Sequence, residues 1–237
     1  MLCFPHAGGA ASAYHRWGNL LPVEVLAVQL PGREGRLNER PMSDLNAVTR
    51  AVVDAMTSDP LVGDLDRPFT FFGHSMGSLL AYETILEMRR RGLPLPASLM
   101  VSGRAPPDHV PDEELLHPLP DDTFISELDR RFGGLPAILR DEPELMALFL
   151  PVLRADLTML ERHVYEPQPP IDVPMRAYGG LDDVRAPRHG LDDWSRFTTD
   201  WRGTRQFPGG HFYLHDAGSA LPKSLSADLE AILAAAA

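Results

Sequence analysis

The pentapeptide Gly73–Gly77 (Gly-His-Ser-Met-Gly) places a serine between two glycines, at the junction of a predicted strand and a predicted helix. In such a Gly-x-Ser-x-Gly turn the serine hydroxyl projects above the sheet, and the glycines let neighbouring backbone pass without a Cβ clash. The apolar run Phe69–Phe72 precedes the turn, and apolar residues at helical spacing follow it over 79–88. The pattern therefore predicts that Ser75 is a nucleophile, with the helix N-terminus stabilising developing negative charge.

A serine nucleophile needs a general base, and nine histidines compete for that role. In chains with this turn, the acid follows the serine, and the histidine comes last, on a loop after the final strand. His211 meets this requirement, because it follows a predicted strand at Gly203–Phe207, sits behind two glycines and precedes the last helix. His215 is the alternative, and it would otherwise be a capping or surface histidine.

The acid that orients the histidine is expected on the loop after the preceding strand. That loop, within Tyr178–Val184, supplies two adjacent carboxylates, Asp182 and Asp183. One carboxylate would accept the histidine Nδ1–H, while the other would cap the loop as an Asx turn. The residue pattern leaves both assignments open.

Two backbone N–H groups are needed to stabilise the oxyanion of a tetrahedral intermediate. One is expected from Met76, the residue after the nucleophile, and the other from the loop Pro5–Gly9 after the first strand, where Ala7 is the predicted donor. We expect His6 to hold this loop in place. Cys3 lies mid-strand and is predicted to be a buried apolar residue, not a nucleophile.

Strands that alternate with helices position these residues and indicate a mainly parallel sheet. Helices are predicted over 13–21, 79–88 and from about Ala217 to the C-terminus, with another that follows Ser43 and Asp44 as N-cap candidates. The predicted strands are Leu2–Phe4, Val25–Leu30, Phe69–Phe72, Ser98–Val101, Pro174–Tyr178 and Gly203–Phe207.

The segment 103–165 breaks this alternation. It contains no predicted strand and two predicted helices, at about 122–132 and 142–162. It also carries 13 acidic and 6 basic residues, so −7 of the net charge of −11 lies here. We expect a helical lid inserted into a single domain that spans residues 1–237, a length that suits one large domain.

Composition narrows the class of protein. The net charge of −11 argues against a nucleic-acid partner, whose phosphates require a basic surface. The longest apolar runs fall far short of the roughly 18–20 residues that a membrane span needs, and no secretory signal precedes the first strand. The single cysteine excludes an internal disulfide framework and a multi-cysteine metal site. A reducing cytoplasm is the expected compartment.

Five motifs together resemble the type II thioesterases of polyketide and nonribosomal peptide assembly lines, and the resemblance covers nearly the whole chain. The first of them, at Cys3–Gly9, is much more specific to this family than the Gly-x-Ser-x-Gly pattern alone. The motifs are Cys3–Gly9 (Cys-Phe-Pro-His-Ala-Gly-Gly), Gln29–Arg33 (Gln-Leu-Pro-Gly-Arg), Gly73–Gly77, Leu153–Asp156 (Leu-Arg-Ala-Asp) and Gly209–Phe212 (Gly-Gly-His-Phe).

The resemblance implies an α/β-hydrolase fold with a helical lid, and a serine hydrolase that acts on thioesters. Members of the family remove stalled or wrongly loaded acyl groups from the phosphopantetheine thiol of acyl or peptidyl carrier proteins. It implies transient contact with the carrier, a monomer, and no metal or cofactor beyond the carrier's own phosphopantetheine. Such proteins are also expected to carry an N-terminal stretch of about twenty further residues.

The resemblance also assigns roles to individual residues. It favours Asp183 as the acid, because the family's acid stands three residues past the second glycine, here Gly180. Val184 occupies a position where many members have proline. The implied site consists of a nucleophile at Ser75, a base at His211, an acid at Asp183 and oxyanion donors at Ala7 and Met76.

Three alternative functions are compatible with the same residues. A small-molecule carboxylesterase would use the same triad. A chain-releasing thioesterase domain is the second alternative, and it is nearer in family to the type II thioesterases. A catalytically silent binding module would keep the fold and lose the triad, yet every triad position is filled here.

A docking surface for an acidic carrier protein is hypothesised outside the acidic segment 103–165. The first candidates are Arg33, Arg36 and Arg40, which follow the second predicted strand. Arg89–Arg91 are predicted to be a solvated helix end that interacts with the helix dipole.

Overall fold

A computed structural model describes residues 1–58, 65, 67–109, 113–133, 142–216 and 218–236. Within them the chain forms a six-stranded sheet in which neighbouring strands pair in parallel, in the order β2-β1-β3-β4-β5-β6. The mainly parallel sheet predicted from the sequence is thus confirmed. The strands are β1 (Leu2–Phe4), β2 (Leu26–Ala27), β3 (Thr70–His74), β4 (Ser98–Ser102), β5 (Met175–Gly180) and β6 (Trp201–Phe207).

The helices fill the connections between these strands. A 3₁₀-helix at Ala11–Asn19 replaces the predicted helix over 13–21, and further 3₁₀ turns occur at 34–36, 193–197 and 213–215. The α-helices in this part of the chain are α1 (Leu45–Ser58), α2 (Met76–Arg90), α3 (Asp121–Phe132), α4 (Pro143–Glu161), α5 (Arg188–Asp192) and α6 (Leu221–Ala236).

The sheet separates two apolar cores. Successive strand residues point to opposite faces, so Phe71 packs with α1 and α2 on one side, while Phe72 packs with the 3₁₀-helix and α6 on the other. All five residues of β3 are buried. This central strand, covered on both faces, carries the predicted nucleophile turn at its carboxyl end.

Two element boundaries differ from the sequence prediction for physical reasons. Strand β2 is an edge strand beside the three-residue β1. Leu26 and Ala27 pair with it, the Val28 amide donates to the Cys3 carbonyl oxygen, and the predicted strand is shortened to match. Helix α6 begins at Leu221, with Pro222 in its first turn, where a missing N–H costs nothing. Ala217, its predicted start, lies outside the described residues.

A helical insertion separates β4 from β5. In residues 103–165, apart from 110–112 and 134–141, no strand occurs, and α3 and α4 are the α-helices there. The insertion has an apolar core of its own, formed by Leu116, Phe124, Leu128, Met146, Leu153 and Leu157. None of the helices in the described ranges is both long and apolar enough to cross a membrane.

Candidate active site

Ser75 occupies the sharp turn between β3 and α2. Its φ of 53° and ψ of −114° lie outside the regions that side-chain-bearing residues commonly adopt. The turn is held by the Ser75 amide, which donates to the Ser102 carbonyl oxygen of β4 at 2.7 Å. The side chain therefore stands at the carboxyl end of the central strand, as the motif predicts.

The glycines that flank Ser75 are required by backbone contacts. A Cβ on Gly77 would lie 2.0 Å from the Phe4 carbonyl oxygen, and one on Gly73 would lie 2.1 Å from the Gly77 oxygen. Neither clash can be relieved by turning a side chain, since the obstacles are backbone atoms. Gly77 thus lets α2 start close to the end of β1, and Gly73 lets the end of β3 approach the first turn of α2.

We expect the Gly77→Ala substitution to lower the free energy of unfolding by about 2 kcal/mol or more, because overpacking against backbone forces a shift of the helix start. Gly18→Ala is the matched control, since a Cβ at that exposed position meets no atom within 4 Å. The control should change the unfolding free energy by less than about 1 kcal/mol. Urea denaturation of both variants would measure this, and equal losses would contradict the steric account.

The structure brings His211 and Asp183 together and leaves Asp182 apart. His211 Nδ1 lies 2.9 Å from Asp183 Oδ2, and the two residues are 8% and 4% exposed. The other carboxylate oxygen, Asp183 Oδ1, accepts from the Arg185 and Ala186 amides at 2.9 and 3.3 Å. Asp182 is exposed. With Nδ1 donating to this carboxylate, a neutral imidazole would present Nε2 as an acceptor.

The loops after β5 and β6 meet closely enough to form this pair. The Leu181 amide donates to the Phe207 carbonyl oxygen at 2.8 Å, and a Cβ on Gly180 would lie 2.3 Å from the Gly210 oxygen. A side chain at position 180 would therefore push the two loops apart. His215, the alternative base, is exposed and stacks its ring on Phe212.

The loop Pro5–Gly9 lies beside Ser75. The Ala7 amide makes no hydrogen bond to any residue that the structure describes, and Ala7 and Ser75 line the same cavity. Met76 is the first residue of α2, where backbone N–H groups have no partner within the helix. Both amides therefore lack a hydrogen-bond partner among the described residues, and their role as oxyanion donors stays a prediction.

His6 belongs to this loop and packs its ring among other aromatic rings. Its ring lies 5.1 Å from that of Phe212, 5.7 Å from that of His215 and 6.1 Å from that of His74. Burial lowers the pKa of His6 to about 3, so the ring stays neutral. This agrees with the structural role predicted for it. Cys3 is fully buried in β1, and burial raises the pKa of its thiol, so it is poorly suited to be a nucleophile.

Sequence reasoning missed the roles of Arg33 and Asp156. Arg33 was predicted to be a surface residue that docks a partner, but it is only 5% exposed and forms an ion pair with Asp156 at 2.8 Å. That docking prediction is wrong for Arg33. Arg36 is paired with Glu39, while Arg40 is exposed. The sequence held one signal for this pair: Arg33 and Asp156 are the last residues of two of the family motifs, Gln29–Arg33 and Leu153–Asp156.

Arg89, Arg90 and Arg91 lie at the C-terminal end of α2, as predicted, and they bind groups of the same chain. Arg89 donates to the Pro169 carbonyl oxygen, and Arg90 and Arg91 are paired with Glu87.

A cavity of about 890 Å³ joins the predicted site residues to the helical insertion. Ser75, Ala7 and His211 line it on the side of the sheet. A volume of this size lies within the range of small-molecule sites in proteins. The apolar residues that the insertion contributes to the wall include Leu116, Leu128, Phe132, Phe149, Leu153 and Leu157.

Comparison with known proteins identifies relatives along the whole chain. A family model described as "Thioesterase domain" matches residues 1–229. The gramicidin S biosynthesis protein GrsT of Aneurinibacillus migulanus is 34% identical over 236 residues, which cover 99% of this chain and 90% of that protein.

Solved structures agree with this relationship. The RedJ thioesterase of the prodiginine pathway of Streptomyces coelicolor is 39% identical and superimposes with a TM-score of 0.86, covering 95% of this chain and 84% of that one. YbtT, a type II thioesterase from the yersiniabactin pathway, is 29% identical with a TM-score of 0.80, covering 98% and 90%. The chain therefore belongs to the thioesterase family of the α/β-hydrolase fold, as a type II thioesterase of nonribosomal peptide and polyketide pathways and a serine hydrolase that acts on thioesters.

Proposed function

We propose that the protein removes aberrant or stalled acyl groups from the phosphopantetheine thiol of acyl or peptidyl carrier proteins. The observation that carries this proposal is the buried hydrogen bond between Asp183 and His211, beside a mainly apolar cavity that His211 and Ser75 both line. The cavity provides room for an acyl chain, and the relatives named above belong to assembly-line pathways.

In the proposed acylation step, the Ser75 hydroxyl attacks the thioester carbonyl while His211 Nε2 takes its proton. Asp183 keeps the proton of Nδ1 in place and stabilises the imidazolium that forms. The tetrahedral oxyanion accepts hydrogen bonds from the Ala7 and Met76 amides. Collapse of this intermediate breaks the C–S bond and leaves an acyl ester on Ser75. The sulfur departs with the proton from His211 Nε2 as the free phosphopantetheine thiol, so His211 is neutral again.

Deacylation repeats the sequence with water as the nucleophile. His211 takes a proton from water, which attacks the ester carbonyl, and the free acid leaves as Ser75 recovers its proton. Because a thiolate is a good leaving group, the acylation step needs little help from the imidazolium. The reaction needs no cofactor beyond the phosphopantetheine that carries the substrate.

The helical insertion has a proposed role as the lid of this cavity, since its apolar side chains form one wall. The contact with the carrier protein is proposed to be transient, because each carrier must return to its assembly line. We place the reaction in the cytoplasm, where the chain's one cysteine, Cys3, would stay reduced.

The proposal is tested with carrier proteins loaded with acetyl, propionyl and longer acyl groups. Mass spectrometry of each carrier after incubation should show loss of the acyl group and recovery of the free phosphopantetheine form. A small aryl ester of the same acid is assayed in parallel. Rapid cleavage of the ester with every acyl carrier intact would replace the proposal with a small-molecule carboxylesterase.

A further inference from the structure

A buried ion pair connects the insertion to the loop between β2 and α1. The Arg33 guanidinium donates to both carboxylate oxygens of Asp156 at 2.8 Å, in a bidentate arrangement. The side chains are 6% and 1% exposed. Asp156 lies on α4, and 123 residues separate the two partners.

Both members of the pair also bind the backbone of the loop Pro5–Gly9. The Gly8 amide donates to Asp156 Oδ2 at 2.8 Å, and Arg33 donates to the Gly9 carbonyl oxygen at 2.9 Å. Gly8 follows directly after Ala7, the proposed oxyanion donor. The pair therefore holds the loop on the C-terminal side of that donor.

Packing against α4 adds to these hydrogen bonds. Gly8 has a φ of 73°, and a Cβ there would lie 2.5 Å from Cδ2 of Leu153, one turn before Asp156. The loop thus rests directly on α4. Any displacement of this turn of α4 would move the loop that carries Ala7.

Stability alone does not account for the pair. Taking two charges out of water costs about as much as their attraction returns, so a buried ion pair is weak grounds for a stabilising role. Burial also raises the pKa of Asp156, although Arg33 and the Gly8 amide act in the opposite direction. The pair is therefore better explained by its hydrogen bonds to the backbone of Gly8 and Gly9 than by its own stability.

We propose that Arg33 and Asp156 are positioning residues, which fix the loop Pro5–Gly9 to helix α4 so that the Ala7 amide points at the oxyanion. This inference rests on the proposed function. It assigns to the insertion a second task besides forming the wall of the cavity, namely support of the oxyanion hole.

The test uses the double variant Arg33→Met/Asp156→Leu, which replaces the pair with apolar side chains and leaves no charge unpaired. We expect kcat for a propionyl-pantetheine thioester to fall by about 10²-fold, comparable to the loss of one oxyanion donor. KM should change by less than about threefold, since a misplaced donor weakens transition-state and not ground-state binding. The melting temperature is measured on the same samples.

An inhibitor gives a readout that a purely structural role would not move. Ethyl trifluoromethyl ketone is the trifluoromethyl counterpart of a propionyl thioester, and a serine nucleophile adds to its carbonyl to form a tetrahedral adduct. The oxygen of that adduct occupies the oxyanion hole. Its inhibition constant should rise by the same factor by which kcat/KM falls. Asp156→Asn keeps an acceptor for the Gly8 amide, so it should retain more activity than Asp156→Ala.

The matched control is Asp121→Asn. It breaks the ion pair between Asp121 and Arg154. Arg154 lies on α4, as Asp156 does, but this ion pair does not involve the loop Pro5–Gly9. Its kcat should equal that of the wild type. A folded double variant with wild-type kcat and wild-type inhibition would overturn the inference. So would failure of every Arg33 and Asp156 variant to fold, because the pair would then be structural. If the wild type itself does not hydrolyse the thioester, the proposed function has failed instead.

Discussion

Replacing Ser75 with alanine is expected to abolish measurable thioester hydrolysis, with a loss in kcat on the order of 10⁶, the size of the effect of losing the nucleophile in a serine protease. The reason is that no other nucleophilic side chain takes its place in the proposed chemistry. Cys3 is buried within β1, and the pKa of its thiol is raised. The melting temperature should stay within a few degrees of wild type, because the substitution leaves the backbone hydrogen bond to Ser102 in place.

The measurement combines steady-state hydrolysis of a propionyl thioester with labelling by a fluorophosphonate. Wild type should be labelled on Ser75, and the alanine variant should not be labelled at all. Ser126→Ala is the control, since this serine of α3 is exposed and donates to the Thr123 carbonyl oxygen of the same helix. Residual turnover of Ser75→Ala within tenfold of wild type would rule out the assignment of the nucleophile.

The second large effect is expected at two adjacent aspartates. Asp183→Asn should lower kcat by about 10⁴-fold, because an amide nitrogen facing His211 Nδ1 would favour the wrong imidazole tautomer. The amide oxygen can still accept from the Arg185 and Ala186 amides, so the loop should keep its shape. The cost is therefore expected in catalysis and not in stability.

Asp182→Asn is the matched control for this substitution. The side chain of Asp182 is exposed, and its backbone amide donates to the Gly209 carbonyl oxygen at 3.0 Å, a contact that the substitution leaves in place. Its kcat should stay within about threefold of wild type, in line with a surface substitution. A larger loss at Asp182 than at Asp183 would show that the acid has been assigned one residue too late.

The sequence predicted the parts of the site that depend on local structure. A strand, a tight turn and a helix are encoded within about twenty consecutive residues, so Ser75 and Met76 could be placed without tertiary information. His211 could be placed because it is the histidine that directly follows a glycine pair after the last predicted strand. The alternation of strands and helices similarly predicted the parallel sheet.

Contacts between distant segments could not be derived in this way. Asp182 and Asp183 occupy the same kind of loop, and only the meeting of the β5 and β6 loops makes one of them a partner of His211. Arg33 follows a Pro-Gly break, a position typical of the surface, and its burial depends on a helix 123 residues further along the chain. The extent of β2 depends on how much of β1 is available to pair with it.

The central claim is that an acyl group passes from a carrier protein through Ser75. It is tested most directly by mixing the enzyme with a propionyl-loaded carrier protein, quenching with acid within milliseconds to seconds, and mapping the acylated peptide by mass spectrometry. We expect propionyl on Ser75, together with the release of free phosphopantetheine carrier, and neither product with Ser75→Ala. Propionyl on any other residue, or carrier deacylation that continues undiminished in Ser75→Ala, would contradict the account.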